Sequence, residues 1–221
     1  MKTIELHRSV TDSNDRDAQK LREELKEAGV LLINIMSAAG SGKTTFLSKT
    51  VKMLEDPWKI AVLECDIDSD VDALKMEELG VRSIQVHTDG MCHMDAGMTR
   101  GALEAVDLEG LEIAFLENVG NLICPAEYDT GAVKKVMILS VPEGDDKPLK
   151  YPLMFKESDV LIISKIDALP YFNFDMDKCI ERVKYLNKNI RIFPVSAKTG
   201  EGMEAWIEWL NKEKELWRGE N

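Results

Sequence analysis

The 221 residues, 44% of them hydrophobic and 31% charged, suffice for one domain with a real core and exclude a disordered chain. A net charge of −12 excludes nucleic acid and anionic membrane as the main partner, since both repel an acidic surface. No run of 18 apolar residues exists and residues 1–10 lack an apolar signal core, so a soluble, cytoplasmic protein without membrane contact is expected.

Residues 1–29 read as an arm followed by a helix. Asp12 or Ser13 caps the helix, Ala18, Leu21, Leu25 and Ala28 form its apolar stripe, and Gly29 ends it. From residue 30 to 221 strands and helices alternate. Strands are predicted over 30–36, 59–64, 82–87, 112–117, 134–141, 159–164 and 190–195. Helices are predicted over 44–55, near 71–79 and 96–106, and over 175–187 and 203–216. Apolar runs such as Val160-Leu-Ile-Ile163 are continuous rather than alternating, which marks a parallel sheet covered on both faces. The pattern predicts a doubly wound α/β domain whose mostly parallel sheet carries helices on both faces. Trp206 and Trp209 read as packing residues, and Trp217 as a loosely held residue of a charged tail.

The segment 33–45 is the most informative. An apolar strand runs into Ser37-Ala-Ala-Gly-Ser-Gly-Lys-Thr44 and then into a helix. It fits the phosphate-loop pattern G-x-x-x-x-G-K-S/T at every fixed position but the first, where Ser37 replaces glycine. Small residues let successive backbone N–H groups turn toward phosphate oxygens, and the helix N-terminus adds its dipole. Lys43 supplies positive charge and the Thr44 hydroxyl can bind Mg2+. The candidate nucleotide-binding residues here are Gly40, Ser41, Gly42, Lys43, Thr44 and Thr45. A Gly/Ser loop alone is only a turn; the flanking strand and helix select the phosphate reading.

Two later motifs choose the base. Ser164-Lys-Ile-Asp167 lies just off a buried strand, where open α/β sheets bind ligands. It is similar to the guanine-reading N-K-x-D motif, with Ser164 in place of Asn. Asp167 can accept from guanine N1–H and its exocyclic amine, donors that adenine lacks, and the Lys165 stem can lie over the base. Ser196, Ala197 and Lys198 follow another strand and match the S-A-K element that backs guanine O6. Order, spacing and strand context together predict GTP rather than ATP. Ser164 lacks the amide that normally braces the phosphate loop, which predicts reduced affinity.

Two acidic segments can sense the γ-phosphate. Glu64-Cys-Asp66 ends the second strand and sets Asp66 near Mg2+; the alternative is a helix-capping carboxylate, since Asp68, Asp70 and Asp72 crowd the same loop. Glu117 ends another apolar strand, where Ras-type GTPases carry the Asp of D-x-x-G, and is read as a partner of Mg2+-bound or attacking water. Lys43, Asp66 and Glu117 are the candidate catalytic residues; Thr44, Asp66 and Glu117 are the candidate Mg2+ ligands. No arginine finger or water-positioning Gln is visible in these segments, which predicts slow intrinsic turnover.

Cys92, His93 and Cys124 offer soft thiolates and an imidazole, a set suited to Zn2+ or Ni2+ rather than Mg2+. Cys65, Cys92, Cys124 and Cys179 form no C-x-x-C pair, so buried thiols are the plainer reading and disulfides are not expected. Location favours the ligand reading: Cys124 lies four positions beyond Gly120, inside the segment that would move when the γ-phosphate is lost. Three protein ligands imply an open position or completion by a second chain. His87, and Cys65 beside Asp66, are further candidates.

The strings Ser37-Ala-Ala-Gly-Ser-Gly-Lys-Thr-Thr45, Cys92-His-Met-Asp-Ala96, Glu117-Asn-Val-Gly-Asn-Leu-Ile-Cys-Pro125 and Glu143-Gly-Asp-Asp146 resemble the HypB family, the nickel-insertion GTPases of NiFe hydrogenase maturation. The resemblance runs from Val30 to Met203, and Ser at the first loop position is usual in that family. It implies a P-loop NTPase G domain, GTP hydrolysis with Mg2+, and a nickel (or zinc) site at Cys92, His93 and Cys124 near a GTP-favoured homodimer interface. A nickel chaperone of the HypA type and the hydrogenase large subunit are the implied partners. No cysteine precedes Cys65 and His7 stands alone, so the cysteine- or histidine-rich N-terminal nickel motif of many members is absent from this sequence.

Other functions compete. An accessory GTPase for urease or another nickel enzyme is opposed by the E-N-V-G-N-L-I-C-P string. A non-enzymatic metal binder with a vestigial nucleotide site is opposed by intact Gly42-Lys43-Thr44. A small-molecule kinase would leave the guanine motifs without purpose.

Overall fold

Among the described residues seven strands join in one entirely parallel sheet, in the order Arg82–Val86, Ile60–Cys65, Ile113–Glu117, Leu31–Ser37, Lys134–Ser140, Val160–Ser164, Arg191–Pro194. The computed structural model describes residues 7–65, 76, 78–88 and 90–219. The strands are β1 Leu31–Ser37, β2 Ile60–Cys65, β3 Arg82–Val86, β4 Ile113–Glu117, β5 Lys134–Ser140, β6 Val160–Ser164 and β7 Arg191–Pro194. The main helices are α1 His7–Ala28, α2 Lys43–Met53, α3 Ala96–Val106, α4 Met176–Leu186 and α5 Met203–Arg218. Short turns of helix at Cys124–Glu127, Lys147–Lys150 and Pro152–Glu157 lie between them.

The central strands are buried on both faces, as their largely apolar runs require. Leu31, Ile33 and Ile35 of β1 face Phe46 and Val51 of α2 and Trp206 and Leu210 of α5. The opposite face is covered in two patches. Leu32, Leu63 and Leu116 pack with Leu21 and Leu25 of α1 and Leu103 of α3, while Leu139 and Ile163 pack with Cys179 and Val183 of α4. Trp206 is fully buried, stacks on Trp209 at 5.2 Å and donates its Nε1–H to Thr50 Oγ1 at 3.0 Å, so both tryptophans are packing residues. Burial pushes the Cys179 thiol pKa up to about 12, and its thiol belongs to the core.

Three expectations change. The first helix starts at His7, so Asp12 and Ser13 lie inside it and cap nothing. Their capping preference is weak against tertiary contacts, here those of Asn14 with two loops. Ala28 is exposed, and the buried stripe of α1 is Ala18, Leu21 and Leu25. Trp217 is held: it lies on α5, donates Nε1–H to Val30 O at 2.9 Å and packs against the core, with Lys26 Nζ 4.7 Å over its ring. The arm at residues 1–6, most of the helix expected near 71–79, and Asp66 with Asp68, Asp70 and Asp72 fall outside the described residues.

Parallel pairing aligns the strand ends. Ile35 sits opposite Glu117, Glu64 opposite Glu117, Ser37 opposite Ile138 and Ser140 opposite Ser164. Every motif therefore emerges at the C-terminal edge of the sheet, where open α/β sheets take their ligands. No helix of the described residues is long and apolar enough to cross a membrane.

Candidate nucleotide and metal sites

β1 delivers Ser37 to this edge, and the chain turns through 38–42 before α2 begins at Lys43. Gly42 takes φ 95°, a conformation that strains any residue with a side chain, and this aims the backbone N–H groups of the α2 N-terminus into the turn. Lys43 Nζ donates to Ser37 Oγ at 3.2 Å, so the residue replacing the first glycine gives the lysine an acceptor. Ser41 Oγ lies 2.7 Å from Glu143 Oε2, which also accepts from the Ser140 N–H and hydroxyl, each at 2.8 Å. The end of β5 thus braces the loop from one side. Sequence reasoning singled out Glu143 only as part of a family string; its place just past a strand adjacent to β1 was the available signal.

The brace that Ser164 was expected to lack is present. Ser164 Oγ donates to Ser41 O at 3.0 Å, and Lys165 Nζ donates to Gly40 O at 2.8 Å. A hydroxyl does here what an amide does in N-K-x-D. Ser164→Ala should weaken nucleotide binding about fivefold, the loss of one buried hydrogen bond of about 1 kcal/mol, read by fluorescent-nucleotide titration. Unchanged affinity would mean that the brace contributes nothing.

An open cleft of about 720 Å³ lies over the loop, lined by Gly40, Gly42, Lys43, Thr44, Thr45, Glu64, Cys65, Glu117, Gly120 and Lys165. A mostly apolar slot of about 260 Å³ shares Gly42, Thr45 and Lys165 with it and is lined further by Ser41, Phe46, Asp167, Ala197 and Lys198. Asp167 Oδ1 accepts from the Ser196 hydroxyl at 2.7 Å, and Ser196 itself is buried. The nucleotide candidates are therefore gathered at two adjoining cavities, a more polar end beside Lys43 and a mostly apolar end beside Asp167, whose carboxylate holds Ser196.

At the polar end Thr44 Oγ1 donates to Glu117 Oε1 at 2.9 Å. A hydroxyl and a carboxylate that close, facing the cleft, fit a hard oxygen-seeking cation such as Mg2+. Asp66 lies outside the described residues. Glu64, 3% exposed at the end of β2, also lines the cleft, and sequence reasoning passed over it in favour of Asp66. Burial, reinforced by the Glu117 and Glu64 charges, pushes the Cys65 pKa well up, so this thiol stays protonated. It lies outside the metal-type cluster.

That cluster is Cys92, His93 and Cys124, with ligand atoms all within 4.8 Å of one another. A single soft ion with bond lengths of about 2.0–2.3 Å spans a set of this size with little adjustment. The two sulfurs lie 2.8 Å apart without a disulfide, and His93 Nδ1 is 3.8 Å from Cys92 Sγ. The His93 ring stacks on Tyr128, centroids 3.7 Å apart, a contact that fixes its plane and that the sequence did not suggest. Hydrogen bonding with Cys124 and burial raise the Cys92 pKa, while burial lowers that of His93 despite Asp95 and Glu127 nearby. His87 is exposed and is not a member of the cluster.

One stretch joins the two sites. Glu117 accepts from Thr44, and the next residue, fully buried Asn118, donates Nδ2–H to Asn34 Oδ1 at 3.1 Å. Asn118 Oδ1 accepts from Val119 N at 2.9 Å and from Met94 N at 3.3 Å, which pins the Cys92-His93 loop. Asn121 Nδ2 donates to Cys92 O at 3.4 Å, and the stretch ends at Cys124.

The profile of the CobW/HypB/UreG nucleotide-binding domain matches residues 31–194. Hydrogenase maturation factor HypB of Escherichia coli strain K12 is 43% identical over 96% of this chain and 73% of its own length. Two solved structures are similar throughout. HypB from Helicobacter pylori in complex with nickel gives a TM-score of 0.88 at 37% identity, covering 92% of this chain and 96% of its own. HypB from Archaeoglobus fulgidus gives 0.86 at 34%, covering 92% and 99%. On these likenesses the chain belongs to the HypB hydrogenase maturation factors of the CobW/HypB/UreG nucleotide-binding family.

Proposed function

We propose that the chain hydrolyses GTP and uses hydrolysis to govern delivery of nickel held by Cys92, His93 and Cys124 during NiFe hydrogenase maturation. The observation that carries this reading is the single stretch from Glu117 to Cys124, which begins against Thr44 in the nucleotide cleft and ends in the metal cluster. Lys43 neutralises phosphate charge, Thr44 and Asp66 hold Mg2+, Glu117 orders water beside the γ-phosphate, and Asp167 reads guanine. Mg2+, when bound, offsets charge on the phosphate oxygens. Loss of the γ-phosphate removes what holds Glu117 toward the cleft, and the loop bearing Cys124 relaxes. The same donors accept zinc.

Cys92, His93 and Cys124 leave a fourth position for solvent or for a second copy of the chain, which agrees with a homodimer favoured by GTP. Nickel then arrives from a HypA-type chaperone and leaves for the hydrogenase large subunit. The described lining of the cleft contains no arginine or glutamine, so turnover by the chain alone should fall far below the roughly 5–20 s⁻¹ of arginine-assisted GTPases. The test is nucleotide binding and single-turnover hydrolysis with GTP and ATP. Preference for GTP by orders of magnitude supports the reading, because adenine leaves Asp167 without its donors; equal use of ATP contradicts it.

Metal affinity should rise with pH. Binding displaces thiol protons, and the raised Cys92 pKa keeps a proton there at neutral pH, whereas His93, lowered, is already neutral. Between about pH 6.5 and 8.5 the apparent affinity should gain about one decade per pH unit from the Cys92 proton, measured by competition with a chelator of known pH dependence. A flat profile would exclude a thiolate site.

A further inference from the structure

We infer that α1 clamps together the two metal-bearing loops, with Asn14 as its positioning residue. The inference rests on the reading of Cys92, His93 and Cys124 as the metal ligands. Those ligands sit on two separate loops, so their spacing depends on whatever ties the loops to each other. The half-buried Asn14 amide does this directly. Its Oδ1 accepts from the Ala96 N–H at 3.0 Å, and its Nδ2 donates to Asp129 O at 2.8 Å. Ala96 begins α3 just after the Cys92-His93 loop, and Asp129 follows Tyr128, the residue stacked on His93. One side chain therefore touches the exit of each loop.

The second loop is anchored again farther along α1. Arg22 grips the Asp129 carboxylate with both ends of its guanidinium, at 2.8 and 2.9 Å, and the Gly131 N–H donates to the same carboxylate at 2.9 Å. Leu21 fills the space beneath Gly131 so closely that a Cβ there would meet it at 2.7 Å. Burial pushes the Asp129 carboxyl up, but Arg22 and Gly131 outweigh it and hold the group below the usual carboxylate range. The ion pair is thus intact throughout the pH range in which metal binds. α1 precedes residues 31–194, the span matched by the family profile, and none of its described residues lines the cleft or belongs to the metal cluster. Its contacts with both loops set the distance between the metal-bearing segments.

The experiment is a Ni2+ titration of the full chain against a competing chelator, with the thiolate-to-nickel charge-transfer absorbance recorded. It compares wild type with Asn14→Ala, Asn14→Asp, Glu24→Ala and Cys124→Ser. Asn14→Ala should weaken nickel severalfold, short of the roughly tenfold or more that follows loss of a hydrogen bond made to a ligand itself, and should shift the charge-transfer band. Asn14→Asp keeps the acceptor for Ala96 but loses the donor to Asp129, so it should fall between; it carries the test if alanine prevents folding. Glu24→Ala removes the ion pair of α1 with Arg100 on α3 without touching either loop, and should leave affinity and band unchanged. Wild-type affinity and spectrum in the Asn14 variants, or an equal loss in Glu24→Ala, overturns the clamp. Cys124→Ser separates the two readings: if it removes nickel the site stands whatever Asn14 does, and if it binds like wild type the site fails and the clamp with it.

Discussion

Lys43→Ala should lower GTP hydrolysis by about 10²–10³-fold at saturating nucleotide, the usual cost of removing one preorganised donor aimed at developing charge. Among the described residues lining the cleft, Lys43 and Lys165 are the cations, and Lys165 is committed to Gly40 O. Lys43 instead rests on the Ser37 hydroxyl at 3.2 Å, a weak partner that phosphate oxygens readily replace. The effect should fall on kcat as well as on affinity, because charge on the phosphate oxygens shifts during transfer. Lys43 is half-buried and rests on a weak acceptor, so melting of the free protein should change little. Single-turnover hydrolysis checks this, and a variant with wild-type kcat would assign the charge-neutralising role to Lys165 or to the metal alone.

The second large effect is expected at Gly120. A Cβ on this residue would lie 2.9 Å from Ala39 Cα and 3.0 Å from Ala39 N, contacts that backbone atoms cannot accept. Either the phosphate loop or the stretch from Glu117 to Cys124 must move in Gly120→Ala. A displacement on the order of 1 Å at a reacting centre costs about 10²-fold in rate, and hydrolysis should fall by about that much. Because the same stretch carries Cys124, metal affinity should change too, although Gly120 offers no ligand. Parallel GTPase and metal titrations read both effects. A variant that loses hydrolysis while keeping wild-type metal binding would show that the two sites share a segment without sharing its movement.

The sheet was legible because its central strands are short and mostly apolar and alternate with helical periodicity, and every described strand fell within two residues of its predicted bounds. The phosphate loop and the base motifs were legible because their residue types are dictated by what they bind. What the sequence did not reveal is the bracing. Glu143 reaches Ser41 across more than a hundred positions, Asn118 reaches Met94 and Asn34, and Asn14 reaches Ala96 and Asp129. A lone Asn or Glu has no periodic or spacing signature, and only the register of neighbouring strands shows what it meets. The same reason explains Ser164: a motif comparison counts a missing amide, whereas the fold places a hydroxyl 3.0 Å from Ser41 O. The start of α1 was misjudged because Asp12 and Ser13 carry a capping preference that the helix does not use.

Nickel affinity measured on the Mg2+–GDP form and on the form bound to a non-hydrolysable GTP analogue, in wild type and in Cys92→Ala and Cys124→Ala, bears most directly on nucleotide-gated delivery. The arrangement predicts that wild-type affinity differs by at least about fivefold between the two nucleotides, a coupling of about 1 kcal/mol, and that each cysteine substitution removes both the binding and the difference. Equal affinity in the two states, with binding still lost in the cysteine variants, would leave a metal site and a nucleotide site that do not communicate.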